Sequence, residues 1–136
     1  MASKKPIILM VDDEKTVLDS LTNQLRGAFG RQFRYEPALT MEEAWEVLDG
    51  AAQEQLHIAL IISDWMMPQQ KGDIFLAEVH QKYPEIPKVM LSGFADQDSV
   101  ERAKAESNLL AYIAKPWEPQ QITELVAQLP VTKANA

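Results

Sequence analysis

The chain has no cysteine. That removes a disulfide framework, a thiolate metal site and a thiol nucleophile together, and it fits a reducing compartment such as the cytoplasm. Long apolar runs are missing near the start too: only the five apolar residues Ile7 to Val11 lie between the opening Met-Ala-Ser-Lys-Lys-Pro and Asp12, too few for a signal-peptide core or a membrane span. Basic charge is scarce. A net charge of −7 argues against non-specific affinity for nucleic acid or an anionic membrane, both of which need a basic surface, and it suits a divalent cation. Repeats, linkers and low-complexity tracts are absent as well. With 136 residues and 46% hydrophobic content, one domain over residues 6–130 is expected, its core needing no staples. Residues 1–5 read as a loose end, and residues 131–136 as another or as the start of a linker.

What is present is organised around residues 58–68, Ile-Ala-Leu-Ile-Ile-Ser-Asp-Trp-Met-Met-Pro. Five of the first six are apolar and the sixth is serine, which reads as a strand buried on both faces that stops abruptly at a carboxylate, Asp64. Such strands belong to parallel sheets covered by helices, and open sheets of that kind place ligands beyond the carboxyl ends of their strands. Residues 7–11 form a second apolar run that ends in Asp12, Asp13 and Glu14. A helix follows over residues 14–29, with Gly30 as its stop. Residues 33–38, of mixed polarity and containing Pro37, suit an edge strand. Thr40 and Glu43 form a capping box before a helix whose buried face is Ala44, Trp45, Val47, Leu48 and Ala51. Gly72 and Asp73 open a helix with the stripe Phe75, Leu76, Val79 and Tyr83. A fourth strand over residues 88–91 ends in Ser92-Gly93, and a fifth over residues 109–114 ends in Lys115-Pro116-Trp117. Residues 96–107 offer a thin apolar face and predict a weakly anchored helix. Pro119 suits the first turn of a last helix with Ile122, Leu125, Val126 and Leu129 inward. Strand and helix alternating in this way imply right-handed crossovers and a parallel sheet with helices on both faces.

Asp12 and Asp13, Asp64, Ser92 and Lys115 all fall at strand ends and so on one rim. Singly, each has a plainer reading: the aspartates as helix caps or turn residues, the serine in a turn, the lysine on the surface. Their coincidence at the ends of successive apolar strands favours a joint role. Clustered carboxylates resist ionising together unless a cation and an ammonium offset the repulsion. Mg²⁺, which takes carboxylate oxygens and waters and commonly serves phosphate chemistry, fits that need. Asp64 is then a candidate nucleophile toward phosphorus, with Lys115 and Ser92 meeting phosphoryl oxygens.

The acidic pair, the Asp-x-x-Met-Pro loop followed by a glycine, the Ser-Gly step and the Lys-Pro step together resemble the receiver domain of two-component response regulators, over about residues 6–129. The resemblance implies a flavodoxin-like, CheY-like (βα)5 fold, a doubly wound sandwich with strand order 2-1-3-4-5. It also implies roles: Asp64 as phospho-acceptor, Asp13 as a direct Mg²⁺ ligand, Asp12 as a ligand through water, and the Met66 backbone carbonyl as a further metal ligand. Ser92 and Lys115 would bind the phosphoryl group, Tyr112 would be the switch aromatic paired with Ser92, Gly72 would shape the acceptor loop, and the Lys115-Pro116 bond would be cis. Trp117 stands where phenylalanine is commoner.

By that resemblance the chain is a phosphorylation-controlled switch, not an enzyme acting on external substrates. A sensor histidine kinase or phosphotransfer protein would donate the phosphoryl group. A downstream effector or fused output domain would read the face made by the fourth strand, the helix after it, the fifth strand and the last helix, and the fifth strand with the last two helices could also pair two copies. Direct nucleic-acid and membrane contacts are not expected, and the output is not in this chain. The alternative is a Mg²⁺-dependent phosphohydrolase with an aspartyl nucleophile, which would carry a second aspartate as general acid two residues on, where this chain has Met66.

Overall fold

Three strands lack any alternation of apolar and polar residues because both of their faces are covered. The structure, a computed structural model, describes residues 5–67, 71–93, 98, 101, 104, 105 and 109–130. Strands β1 (Ile7–Val11), β3 (Ile58–Asp64) and β4 (Lys88–Ser92) are buried at every position, as parallel strands between two helical layers must be. β2 (Arg34–Ala38) and β5 (Leu109–Ala114) are the partly exposed edges. Every neighbouring pair is parallel and the order is β2-β1-β3-β4-β5. The expected doubly wound, flavodoxin-like sheet is therefore the one found. Its order reverses at β1 and β3, which puts the ligand crevice of such a fold at the carboxyl ends of these two strands.

Alternate side chains divide between two cores. Ile7, Leu9 and Val11 of β1 join Ala44 and Leu48 of α2 (Met41–Glu54) and Phe75 and Val79 of α3 (Gly72–Lys82) on one face. Ile8 and Met10 join Leu18, Leu21 and Leu25 of α1 (Lys15–Phe29) and Ile122 and Val126 of α4 (Pro119–Ala127) on the other. Pro119 occupies the first turn of α4, and Gly30 ends α1 with φ +57°. The Thr40 hydroxyl accepts from the Glu43 amide at 3.1 Å, while the Glu43 carboxylate accepts from Leu39 at 3.1 Å, one residue earlier than a reciprocal box requires.

Several boundaries differ from expectation, the fourth strand running on to include Ser92. The second strand begins at Arg34 because a 3₁₀ turn over Gly30–Gln32 carries the chain out of α1. Phe33 is spent as an anchor for that turn, its ring edge-on to Phe29 at 5.8 Å. Glu14 is extended and caps α1 rather than starting it. Most of the helix expected over residues 96–107 lies outside the described residues, although Asp98, Glu101, Lys104 and Ala105 have helical backbone. Among the described residues no helix is long and apolar enough to cross a membrane.

Lys88, the first residue of β4, is 0% exposed, and its Nζ donates to the Ile86 carbonyl at 2.5 Å. Burial pushes its pKa below the usual lysine value, with the Glu85 carboxylate opposing in part. A lysine whose folded pKa is lowered gives up its proton first in the folded state, so its destabilising effect is full at neutral pH and fades as pH rises toward about 10.4. Lys88→Met, which keeps the length and removes the charge, should therefore raise the thermal midpoint at neutral pH by a few degrees, on the order of 1 kcal/mol. Thermal unfolding at about pH 7 and about pH 10 checks this: the advantage should shrink at the higher pH.

Candidate functional site

At the end of β1 the chain turns directly into α1, and Asp12 serves both elements. It is 1% exposed. Its Oδ1 accepts the Glu14 amide at 2.8 Å, and its Oδ2 accepts from the Lys115 ammonium at 2.9 Å. One oxygen of Asp12 thus holds the amide of Glu14, the residue that caps α1, and the other faces the lysine; neither Asp12 nor Asp13 is the cap itself. Asp13, next along, is exposed.

Asp64 closes β3 and is likewise buried, with Oδ1 3.0 Å from the same Lys115 nitrogen. Lys115 reaches this point from the end of β5: its backbone amide donates to the Ser92 carbonyl at 2.9 Å, and the bond to Pro116 is cis. Ser92 itself is buried at the end of β4. Asp13, Asp64, Met66, Ser92 and Lys115, together with Glu14 and Gly93, line one open pocket at the carboxyl ends of the strands. A more apolar hollow beside the amino ends of β3 and β4, lined by Leu48, Leu56, Tyr83 and Ile86 among others, brings no comparable set of charges together.

The electrostatics follow from this crowding. Burial pushes the Asp64 carboxyl above the usual aspartate range, and the Asp12 charge adds to the rise. The hydrogen bonds from Lys115 and the Met66 amide pull the other way without cancelling it. Burial also works against the Lys115 ammonium, but hydrogen bonds to Asp12 and Asp64 outweigh it and hold that pKa above the ordinary lysine value. One oxygen each from Asp12, Asp13 and Asp64 lies within 4.8 Å of the others. Hard oxygens converging in a pocket open to solvent are a donor set that suits Mg²⁺.

Gly72 sets how close α3 comes to this centre. Its amide donates to the Trp65 carbonyl at 2.7 Å, and a Cβ built on it would stand 2.2 Å from the Asp64 carbonyl oxygen and 2.9 Å from Trp65 Cα. Only a residue without a side chain can seat α3 there. Lys71 lies 5.3 Å from the centre of the Trp65 ring, covering the indole that follows Asp64.

The residues singled out from the sequence as Asp12, Asp13, Asp64, Met66, Ser92 and Lys115 are brought together. Tyr112 is not among the pocket residues: it is half-buried, pairs with Met90 and packs toward the α2–α3 core. Met66 is 57% exposed, an apolar side chain left at the mouth. Glu14 belongs to the pocket but was not given a role, although it completes the acidic run Asp12-Asp13-Glu14.

A doubly wound parallel sheet with an acidic pocket and an inward lysine at its switch point defines an α/β domain whose rim has the chemistry to suit a divalent cation beside an anionic group. The sequence profile of the response regulator receiver domain matches residues 8–127. The chain belongs to that family, whose members serve two-component response regulators as signalling switches. It is 30% identical over 128 residues to the hydrogenase transcriptional regulatory protein HoxA of Cupriavidus necator, covering 94% of this chain and 25% of that protein. The chain thus spans about a quarter of that relative's length. The receiver domain of an HD-domain-containing protein from Pseudomonas fluorescens Pf-5 superimposes with a TM-score of 0.82 at 26% identity, covering 98% of this chain and 100% of that one. A CheY-like receiver domain from Methanospirillum hungatei JF-1 gives 0.78 at 27% identity, with 98% and 100% coverage.

Two outcomes are expected from this geometry. A carboxyl with a raised folded pKa destabilises when ionised, so Asp64→Asn should raise the thermal midpoint in Mg²⁺-free buffer at about pH 7.5. As pH falls through the raised value the difference should fade, and it should vanish below about 3.9, where the parent's Asp64 is protonated in both states. Gly72→Ala meets backbone atoms that no rotamer change can move aside, and should destabilise by about 1–3 kcal/mol, read as a lower denaturant midpoint with an unchanged slope.

Proposed function

We propose that residues 6–130 form a receiver that takes a phosphoryl group from the phosphohistidine of a sensor histidine kinase or phosphotransfer protein onto Asp64 in a Mg²⁺-dependent step. The result is passed to a downstream effector or fused output domain. The observation that carries this reading is the Lys115 ammonium held between Asp12 and Asp64, at 2.9 Å and 3.0 Å. Asp12, Asp13, Asp64 and the Met66 carbonyl would hold Mg²⁺, Asp12 through water; bound there, the ion would neutralise charge on the phosphoryl oxygens. The Asp64 carboxylate attacks phosphorus as the bond to the donor imidazole nitrogen breaks, and the leaving nitrogen keeps the electron pair. Lys115 holds Asp64 in place and meets the negative charge that develops, so positioning and charge neutralisation supply the catalysis.

The new group brings roughly −1.5 to −2 charges, and the Ser92 hydroxyl is drawn to it, shifting the end of β4. Tyr112, on the neighbouring strand, turns inward in response. Both arrangements pre-exist, and phosphorylation biases one through its better contacts there. A partner reads the change on the face that includes β4, β5 and α4, which also suits pairing of two copies. The setting is cytoplasmic, without direct contact to nucleic acid or membrane. The phosphohydrolase alternative has no support in the pocket: the position two residues after Asp64 is Met66, which cannot donate a proton to a leaving group.

Acetyl phosphate with Mg²⁺ should add one phosphoryl group to the parent and none to Asp64→Asn, read by intact mass; equal uptake by both would refute Asp64 as acceptor. Ser92→Ala should still be phosphorylated while the amide resonances of β5 no longer respond to a beryllofluoride phosphate mimic. Identical β5 responses in parent and variant would break the proposed link.

A further inference from the structure

Trp117 lies two residues beyond Lys115, in the segment that joins β5 to α4, and its indole N–H donates to the Gln24 side-chain oxygen at 2.8 Å. Gln24 sits on the half-buried flank of α1, between Leu21 and Leu25 of the core, and the indole packs against that same core. A tryptophan has a single donor, and when its ring is packed away that donor fixes how the ring lies. The contacts close a circuit. Asp12 bonds the Glu14 amide at the cap of α1, α1 presents Gln24, Gln24 holds Trp117, and the short segment from Trp117 back to Lys115 delivers the ammonium to Asp12 and Asp64. At its other side the backbone amide of Lys115 is tied to β4, and the long side chain beyond it has a root that must be located in relation to β1 and α1.

We infer that the Trp117–Gln24 hydrogen bond positions Lys115, by fixing the root of the lysine relative to the helix that starts at the acidic pair, and that it thereby sets the rate of phosphorylation. This rests on the reading of Asp64 as phospho-acceptor. Neither residue touches the reacting atoms. They act through the lysine, so their loss should slow the chemical step and leave cation binding alone, because the cation's carboxylates belong to β1 and β3.

The test uses acetyl phosphate and Mg²⁺ with the parent, Trp117→Phe, Gln24→Leu, the double variant and Gln24→Glu. Trp117→Phe keeps an aromatic ring in the core, and Gln24→Glu keeps an acceptor oxygen. The phosphorylation rate at saturating Mg²⁺ should fall about fivefold in each of the first two variants. The double variant should be no slower than either single one, and Gln24→Glu should retain the parent rate. Mg²⁺ affinity, followed by fluorescence of the remaining tryptophans, should stay within about twofold of the parent throughout. Rates unchanged in both single variants, effects that multiply in the double variant, or a parallel loss of Mg²⁺ affinity would each overturn the positioning role. A parent that takes up no phosphoryl group would sink the acceptor reading and this inference together. A parent that is phosphorylated, with single variants that match it, would sink the inference alone.

Discussion

Everything at the carboxyl rim depends on one ammonium shared by two buried carboxylates. Asp12 and Asp64 end neighbouring strands, and two like charges in so dry a place would drive each other toward the protonated form. Lys115 bridges them. The compensation is incomplete, since the Asp64 carboxyl remains above the usual aspartate range. Burial is the larger part of that rise and the Asp12 charge the smaller, and a further positive charge at the rim would offset both. The imbalance is also a local stability deficit of the kind binding sites carry, sustained by two apolar cores on either side of the sheet.

The same arrangement explains why the lysine comes from β5 rather than from a nearer element. In the order β2-β1-β3-β4-β5, β5 is an edge strand two places from β3, and the segment after it is free to turn back across the rim. The lysine's own amide anchors that turn on β4, and Trp117 ties it to α1. A side chain from β1 or β3 would have stood beside one carboxylate instead of between both.

Much of this was legible in the chain, for a reason visible in particular residues. A strand such as Ile58–Asp64, apolar to its last positions, has no use for a terminal carboxylate unless something outside the sheet requires it, and the same holds for Val11 followed by Asp12. Gly72 was legible as a shaping residue only through the family resemblance, because nothing in its neighbours announces that a Cβ would strike the Asp64 carbonyl. Other features are tertiary and left no local mark. Gln24 and Trp117 are 93 residues apart, and each alone is an unremarkable surface-flank residue. Lys88 reads as the polar start of a strand, yet it is wholly enclosed. Phe33 looks like the first residue of β2, but the core beneath the turn claims its ring.

The contact between Gly72 and the backbone of Asp64 has a mechanical consequence. On the α3 side Asp64 is braced backbone against backbone, with no compressible side chain between. On the opposite side it faces a lysine whose long chain yields through bond rotation. A load applied at the carboxylate meets a stiff wall in one direction and a spring in the other, so displacement runs across the sheet toward its β5 edge. A missing methyl group at residue 72 thus sets the direction in which Asp64 can give.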